Sequence, residues 1–218
     1  MSIKLEVWGR YACFTRPEMK VERVSYDVMT PSAARGILEA IFWHPGMRYV
    51  IDRIHVLSPI SFINIRRNEV KSKISAASVK KVINGIKGNL YLDTSSDIVQ
   101  RAAMILQDVH YVIEAHFDID EATVGKEDNA TKFQEILIRR AGKGQCYHHP
   151  YFGCREYPVN FRIWENNSIP TAYPNENRDL GIMLYDMDFS DRSNIQPMFF
   201  RAKLENGVLD LRGVEVMK

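Results

Sequence analysis

The sequence is poor in cysteine and has no long apolar run. Its three cysteines, Cys13, Cys146 and Cys154, are odd in number and show no C-x-x-C spacing. This pattern argues against a disulfide scaffold and against a structural zinc site, so we expect buried or idle thiols. No apolar run approaches the length of a membrane helix, and the first eight residues lack the features of a signal peptide. We therefore expect a cytoplasmic protein with no membrane partner.

Several enzyme motifs are also absent. The chain contains no G-x-S-x-G, no Walker A motif, no dinucleotide fingerprint and no H-E-x-x-H. The sequence therefore gives no support for assigning the protein to the classical hydrolases, kinases, dehydrogenases or zinc proteases. The pair His148-His149 could indicate a metal-binding site. Neighbouring residues of a strand, however, point to opposite faces and rarely bind one ion. We expect neither a metal site nor a cofactor.

The composition is that of a globular protein whose charge is unevenly distributed. Hydrophobic residues make up 45% and charged residues 26% of the 218 residues, and the net charge is +2. Residues 66–90 hold seven bases and one acid, and residues 132–155 hold five bases and one acid. Two concentrated basic segments in a near-neutral chain favour a polyanion as partner. The alternative is that both are ordinary solvated surface segments.

Periodicity and turn signals predict an α+β fold. Alternating or β-rich runs predict strands, and Thr30-Pro31 and Asp128 or Asn129 are good helix starts. The strands are predicted at residues 3–8, 47–57, 60–65, 109–119 and 159–164. One helix is predicted to start at Thr30-Pro31 and to end by Pro45-Gly46, and a second to start at Asp128 or Asn129 and to stop at Gly142 and Gly144. This order matches the ferredoxin-like βαββαβ arrangement that RNA-recognition modules share.

Two further segments complete the predicted organisation. Residues 66–100 have weak periodicity and many small polar residues, which favours an inserted basic arm. After Pro170, short strand-like runs with Asn206-Gly207 as a hairpin turn predict a small antiparallel β-sheet. We therefore predict a ferredoxin-like RNA-binding domain over residues 1–165 and a small β-rich domain over 166–218.

A glycine-rich loop follows the second predicted helix. Gly142-Lys143-Gly144-Gln145 could bring backbone amides to a phosphate, with Tyr147 and His148 close by in sequence. The alternative is an ordinary glycine helix end followed by a loop. His110 and His116 lie on the strand face opposite the apolar set, where they could line the surface of the sheet.

Five blocks of the sequence together resemble one known family. They are WGRYACFTRP (8–17), VSYDVMTPSAARG (24–36), IRRNEV (65–70), VIEAHF (112–117) and GCREY (153–157). These blocks are similar to the Cas-five proteins of CRISPR type I-C systems, and the similarity spans nearly the whole chain. The resemblance implies a ferredoxin-like N-terminal domain and a small β-sheet C-terminal domain.

The resemblance also implies a function. Such a protein is expected to be a metal-independent endoribonuclease that cuts CRISPR repeat RNA and leaves a 5′ hydroxyl and a 2′,3′-cyclic phosphate. It is then expected to stay on the 5′ handle of the crRNA, beside the backbone and large subunits of the surveillance (Cascade) complex. The arm could contact the target DNA duplex near the protospacer-adjacent motif. The alternative is a subunit of the same complex that binds the handle without cutting.

Attack of a ribose 2′-OH needs a base, a cation for the phosphorane and an acid for the leaving oxygen. The family pattern has a tyrosine or histidine just before a W-x-P at the end of the first helix. It also has a Gly-Lys-His run near the start of the second. This sequence has Phe42 at the first position and Lys132-Phe133 in the second run, so only the lysine is kept.

The departure from the family pattern shifts the expected proton-transfer group. Phenylalanine can stack on a base but cannot transfer a proton. We expect Lys132 to stabilise the transition state and His44 to transfer protons, with Tyr49, His148 and His149 as weaker alternatives.

In either case RNA contacts should fall mainly on phosphates and weaken steeply with salt. The predicted RNA-binding residues are Arg16, Arg35, Phe42, Arg66, Arg67, Lys71, Lys73, Phe133, Arg139, Arg140, Lys143, His148 and Arg155. A generic RNA-recognition module is a third interpretation, but its basic-Gly-aromatic-Gly-aromatic signature is absent.

Overall fold

A computed structural model describes residues 3–88, 90–120, 123–125, 128–191 and 193–218. Its eight strands and three helices form a mixed α/β fold with a large antiparallel sheet. The strands are β1 (Ile3–Ala12), β2 (Met47–Val56), β3 (Phe62–Val70), β4 (Ile98–Ile119), β5 (Asn160–Ile163), β6 (Asn177–Asp188), β7 (Gln196–Glu205) and β8 (Val208–Asp210). The helices are α1 (Pro31–Ile41), α2 (Ala76–Ile83) and α3 (Ala130–Gly142).

The chain forms two compact units. The larger unit comprises residues 1–63 and 104–218, and its strands follow the order β5-β1-β4-β2-β8-β7-β6. The smaller unit comprises residues 64–103 and holds most of β3, α2 and the first part of β4. The predicted arm over 66–100 falls within this smaller unit, but the sequence did not predict the helix α2 inside it.

The core of the larger unit lies on one face of the sheet. Helices α1 and α3 contact each other, and they pack on β2 and β5 respectively. Apolar side chains such as Leu5, Ile37, Ile113 and Leu137 are fully buried. Because side chains alternate along a strand, the polar residues between them point to the opposite face.

The predicted helix starts and the predicted hairpin turn are confirmed. The Thr30 hydroxyl accepts a hydrogen bond from the Ala33 amide at 3.2 Å, and Pro31 is the first helical residue. Asn129, rather than Asp128, caps α3. Asn206 and Gly207 both have positive φ, 50° and 74°, as a type I′ hairpin turn requires.

Several sequence expectations need correction in extent. Strand β1 continues to Ala12 instead of ending at residue 8, and β3 continues to Val70, into the predicted arm, instead of ending at residue 65. Strand β4 has 22 residues instead of the predicted eleven, since its first part pairs with β3. The C-terminal strands do not form a sheet of their own, because β8 pairs with β2 and so extends the main sheet. The domain boundary at residue 165 stays a prediction. None of the described helices is long and apolar enough to cross a membrane.

Gly153 provides a test of the packing between two loops. Its φ is +78°, and a Cβ at this position would lie 2.0 Å from the Cys13 carbonyl oxygen. Gly213 has a similar φ of +71° but no atom within 4 Å of such a Cβ. We predict that Gly213→Ala costs about 1–2 kcal/mol of unfolding free energy from its backbone alone. Gly153→Ala should cost about 1–3 kcal/mol more because of the clash.

Denaturant unfolding of the two variants measures this difference directly. Equal losses of stability in Gly153→Ala and Gly213→Ala would contradict the close approach of the two loops.

Candidate active site

The turn after α1 holds its side chains in fixed positions. The Phe42 amide donates to the Leu38 carbonyl at 3.0 Å and ends the helix there. The buried Tyr49 hydroxyl, on β2, donates to the Phe42 carbonyl at 2.9 Å. These bonds place His44 just beyond the C-terminal end of α1.

One ring nitrogen of His44 forms a hydrogen bond with the backbone. Its Nδ1 lies 2.8 Å from the Pro45 carbonyl oxygen, which can only accept a hydrogen bond. Nδ1 therefore carries the proton, and in the neutral ring Nε2 carries the lone pair. Nε2 lies 3.7 Å from Asp128 Oδ2, and the side chain is 40% exposed. A substrate can thus reach the nitrogen that accepts a proton.

Asp128 connects His44 to Lys132. Its second oxygen, Oδ1, lies 2.7 Å from Lys132 Nζ, and Lys132 is 46% exposed. The Lys132 amide donates to the capping side chain of Asn129 at 2.9 Å, which fixes the first turn of α3. The hydrogen bond from Lys132 lowers the pKa of Asp128, and the charge of His44 acts in the same direction. The structure therefore brings the two predicted catalytic residues to one ionised carboxylate.

Two buried phenylalanine rings pack next to the His44 side chain. The rings of Phe42 and Phe133 lie 6.0 Å apart, and the His44 ring lies 5.0 Å from that of Phe133. Phe42 is 7% and Phe133 1% exposed. The prediction that these rings bind RNA by stacking is wrong for this structure, because neither presents a face to solvent.

The loop after α3 is tied to the end of α1. The amides of Tyr147 and His148 donate to the Ala40 carbonyl at 2.8 and 3.3 Å. Arg140 donates to the Ile41 carbonyl at 3.0 Å, so this predicted RNA-binding residue caps α1. The rings of Tyr147 and His148 lie 5.9 Å apart, and both side chains are exposed, Tyr147 to 84%.

The glycine-rich run forms an ordinary helix end. The Lys143 and Gly144 amides donate to carbonyls of the last turn of α3, and the Gln145 amide donates to the Arg140 carbonyl at 2.8 Å. Gly144 has the positive φ, 64°, that is typical of such ends. These amides are occupied, so the phosphate-cradle interpretation of residues 142–145 is wrong. The Lys143 side chain is exposed.

Several predicted RNA-binding arginines are paired with acids. Arg35 binds both oxygens of Asp186 at 2.8 Å and Glu39 at 2.7 Å, and so joins α1 to β6. Arg16 pairs with Asp27 at 3.0 Å. Such pairing gives these two arginines a structural role.

The remaining predicted RNA-binding residues are distributed over both units. In the larger unit, Arg139 and Arg155 are exposed. In the smaller unit, Arg66, Lys71 and Lys73 are exposed, and Arg67 lies 3.3 Å from Glu69.

Tyr49 is the poorest of the alternative proton-transfer groups. Burial raises the pKa of its hydroxyl well above the ordinary value, and the hydroxyl already donates to Phe42. His149 is exposed, as is His148.

Sequence reasoning missed the role of Asp128 and treated it only as a possible cap. The signal was present, since an acid four residues before a lysine at a helix start forms a side-chain pair. Nothing in the spacing, however, indicated that His44 would reach the same carboxylate.

Comparison with known proteins identifies the family. A family model described as CRISPR-associated protein (Cas_Cas5) matches residues 2–212. A Mannheimia succiniciproducens protein named CRISPR pre-crRNA endoribonuclease Cas5d is 51% identical over 96% of this chain and 94% of its own length. The Thermus thermophilus protein of the same name is 38% identical over 96% of this chain and 90% of its own length.

The chain belongs to the Cas5 family of CRISPR-associated proteins. The fold agrees with this assignment. A solved structure described as a CRISPR-associated protein covers 100% of this chain and 97% of its own, with a TM-score of 0.69 at 21% identity.

Within the Cas5 pattern described above, Phe42 and Phe133 stand where the resemblance implies rings that transfer protons. The two positions are neighbours in this structure, and His44 lies directly against one of them. A histidine that can transfer protons is therefore present two residues beyond the expected position.

The pairing of Asp128 with Lys132 can be tested by titration. In Lys132→Met the pKa of Asp128 should rise, because the hydrogen bond and charge that hold it below its ordinary value are removed. Carboxyl-carbon NMR of the labelled protein measures this pKa. The matched control, Lys143→Met, removes an exposed lysine at the opposite end of α3 and should leave the pKa of Asp128 unchanged. An Asp128 pKa that is equal in wild type and Lys132→Met would contradict the pairing.

Proposed function

We propose that this Cas5 family member is an endoribonuclease that cuts CRISPR repeat RNA by 2′-OH attack without a metal ion. Two relatives named CRISPR pre-crRNA endoribonuclease Cas5d, matched over nearly their whole lengths, support the activity. The observation that carries the proposal for this chain is the convergence of His44 and Lys132 on Asp128.

His44 acts as the general base. With Nδ1–H donated to Pro45, the Nε2 lone pair takes the proton from the ribose 2′-OH. Phe133 packs against the ring and limits its rotation, so the nitrogen stays directed towards the substrate. Asp128 stabilises the imidazolium that forms, since its carboxylate lies 3.7 Å from Nε2.

Lys132 stabilises the charge on the phosphorane. An ammonium group has three N–H donors, so it can keep its bond to Asp128 and still donate to a phosphate oxygen. The leaving 5′ oxygen needs a proton, and exposed His148, whose backbone is anchored to the end of α1, is the proposed donor.

We propose the ferredoxin-like arrangement for the first 165 residues and a small β-rich part for 166–218. The strand order β5-β1-β4-β2, with α1 and α3 in the connections and contacting each other, supports the first assignment.

After cleavage the protein stays on the 5′ handle of the crRNA as a Cascade subunit in the cytoplasm, in contact with the backbone and large subunits. The exposed basic residues of the smaller unit, among them Arg66, Lys71 and Lys73, support a contact with nucleic acid there. The target DNA duplex beside the protospacer-adjacent motif is the proposed partner of that unit.

A second candidate function is binding of the crRNA handle without cutting. The observation in its favour is that the rings of Phe42 and Phe133 cannot transfer protons. Cleavage by the purified chain separates this candidate from the first.

The proposed roles predict the effect of two substitutions on single-turnover cleavage of repeat RNA. His44→Ala should slow cleavage by about a hundredfold or more, as expected for loss of a general base. Lys132→Ala should slow it by about a hundredfold or more, as expected for loss of a positive donor at the transition state. Lys132→Arg should retain more activity than Lys132→Ala because it keeps the charge.

The matched control is His149→Ala, which removes an exposed histidine outside the cluster and should change the rate only a few-fold. Cleavage at the wild-type rate in both His44→Ala and Lys132→Ala would contradict the assigned roles.

The pairing of arginines predicts which of them contribute to salt-dependent binding. Arg139→Ala removes an exposed charge and should reduce the slope of log K against log salt by about one. Arg35→Ala should leave that slope unchanged and lower the melting temperature, because Arg35 joins α1 to β6. RNA-binding titrations at several salt concentrations measure both slopes. The reverse pattern would contradict the assignment.

A further inference from the structure

Two aromatic rings contact each other edge to face on the face of the sheet opposite α1 and α3. Trp8 on β1 pairs with His110 on β4, and their ring centroids are 6.2 Å apart at an interplanar angle of 64°. Both strands are central in the order β5-β1-β4-β2. Trp8 alternates with the buried Leu5 and Val7, which places it on the other face.

A buried carboxylate holds the neighbours of Trp8 in place. Glu6 is 2% exposed and accepts hydrogen bonds from His110 Nε2 at 2.7 Å and from Arg162 Nη2 at 3.1 Å. Burial opposes its ionisation, but the bonds from Arg162 and His110 outweigh burial and lower the pKa of Glu6. The Arg162 guanidinium in turn lies 5.4 Å from the centre of the Trp8 ring.

These residues border an open hollow of about 610 Å³, which Arg10, Asp108 and Asn160 also line. Asp108 lies within β4 and has a φ of +51°, which is uncommon for a residue other than glycine. Strained backbone of this kind is often kept at binding sites. The hollow is therefore bordered by a fixed aromatic pair, two cations and a strained strand residue.

We propose that Trp8 and His110 form a second RNA contact, a stacking platform for an unpaired nucleotide. The ligand class rests on the proposed function, but the site is separate from the cluster of His44, Asp128 and Lys132. RNA-binding sheets stack bases on aromatic side chains of their central strands. Here the two rings sit on paired positions of such strands, although the sequence signature of those modules is absent.

The lining favours RNA over an apolar protein partner. Its side chains are mostly aromatic, planar or charged, and Val109 is the aliphatic one among them. Protein interfaces usually have an apolar, aliphatic and aromatic centre with few charges. Arg10 and Arg162 are balanced by Glu6 and Asp108 in the lining. The platform should therefore add stacking energy and little salt-dependent affinity.

The test uses the full chain and short single-stranded RNA, with a blunt RNA duplex for comparison. In Trp8→Ala the affinity for single-stranded RNA should fall roughly 5- to 150-fold, as expected for loss of one base–aromatic stack. The salt slope should not change. Trp8→Phe should recover part of the loss, and the control Trp164→Phe should bind as wild type does.

A second readout does not depend on the stability of Trp8→Ala. In a chain carrying Trp43→Phe and Trp164→Phe, Trp8 is the sole tryptophan. Its fluorescence should be quenched saturably by single-stranded RNA and much less by the duplex.

The stacking platform would be overturned if Trp8→Ala bound single-stranded RNA as wild type does and Trp8 fluorescence were not quenched. The proposed endoribonuclease function would survive that result if the same variant cut repeat RNA at the wild-type rate. Unchanged RNA affinity combined with lost binding of a protein subunit would also overturn the stacking platform, in favour of a protein interface. A wild-type chain that neither binds nor cuts RNA would overturn both proposals.

Discussion

The carboxylate of Asp128 is the contact on which the proposed chemistry depends. One oxygen accepts the Lys132 ammonium, and the other faces Nε2 of His44. The two partners come from the end of one helix and the start of another, far apart in sequence. An anion between them lets two cations, the lysine and the imidazolium, coexist at one site. Phe133, packed beneath His44, fixes the position of the ring and makes the arrangement rigid.

Much of the fold could be predicted because local signals determine it. Thr30-Pro31, Asn129 and Asn206-Gly207 each fix a helix start or turn through their own backbone or side-chain bonds. The site was harder to predict. Arg35 was a plausible RNA contact in sequence, but its partner Asp186 lies 151 residues away, and only the tertiary structure brings them together. The sequence also does not show that Phe133 faces the core.

The two faces of the sheet carry different kinds of side chain. The face under α1 and α3 is apolar and supplies the core that holds the ends of both helices in place. The other face carries hydrogen bonds between acids and basic side chains, among them those of His110 with Glu6 and of His116 with Asp52. Both histidines lie there because side chains alternate along β4. A sheet that is apolar on one side and charged on the other leaves its second side open to a polar ligand.

The most direct test of the central claim is incubation of the purified protein with its cognate repeat RNA in EDTA, with products resolved at nucleotide resolution. We expect one cut at the 3′ base of the repeat hairpin that leaves a 2′,3′-cyclic phosphate, the product of 2′-OH attack. Tight binding without a cut, or cutting only after a divalent metal is restored, would contradict it.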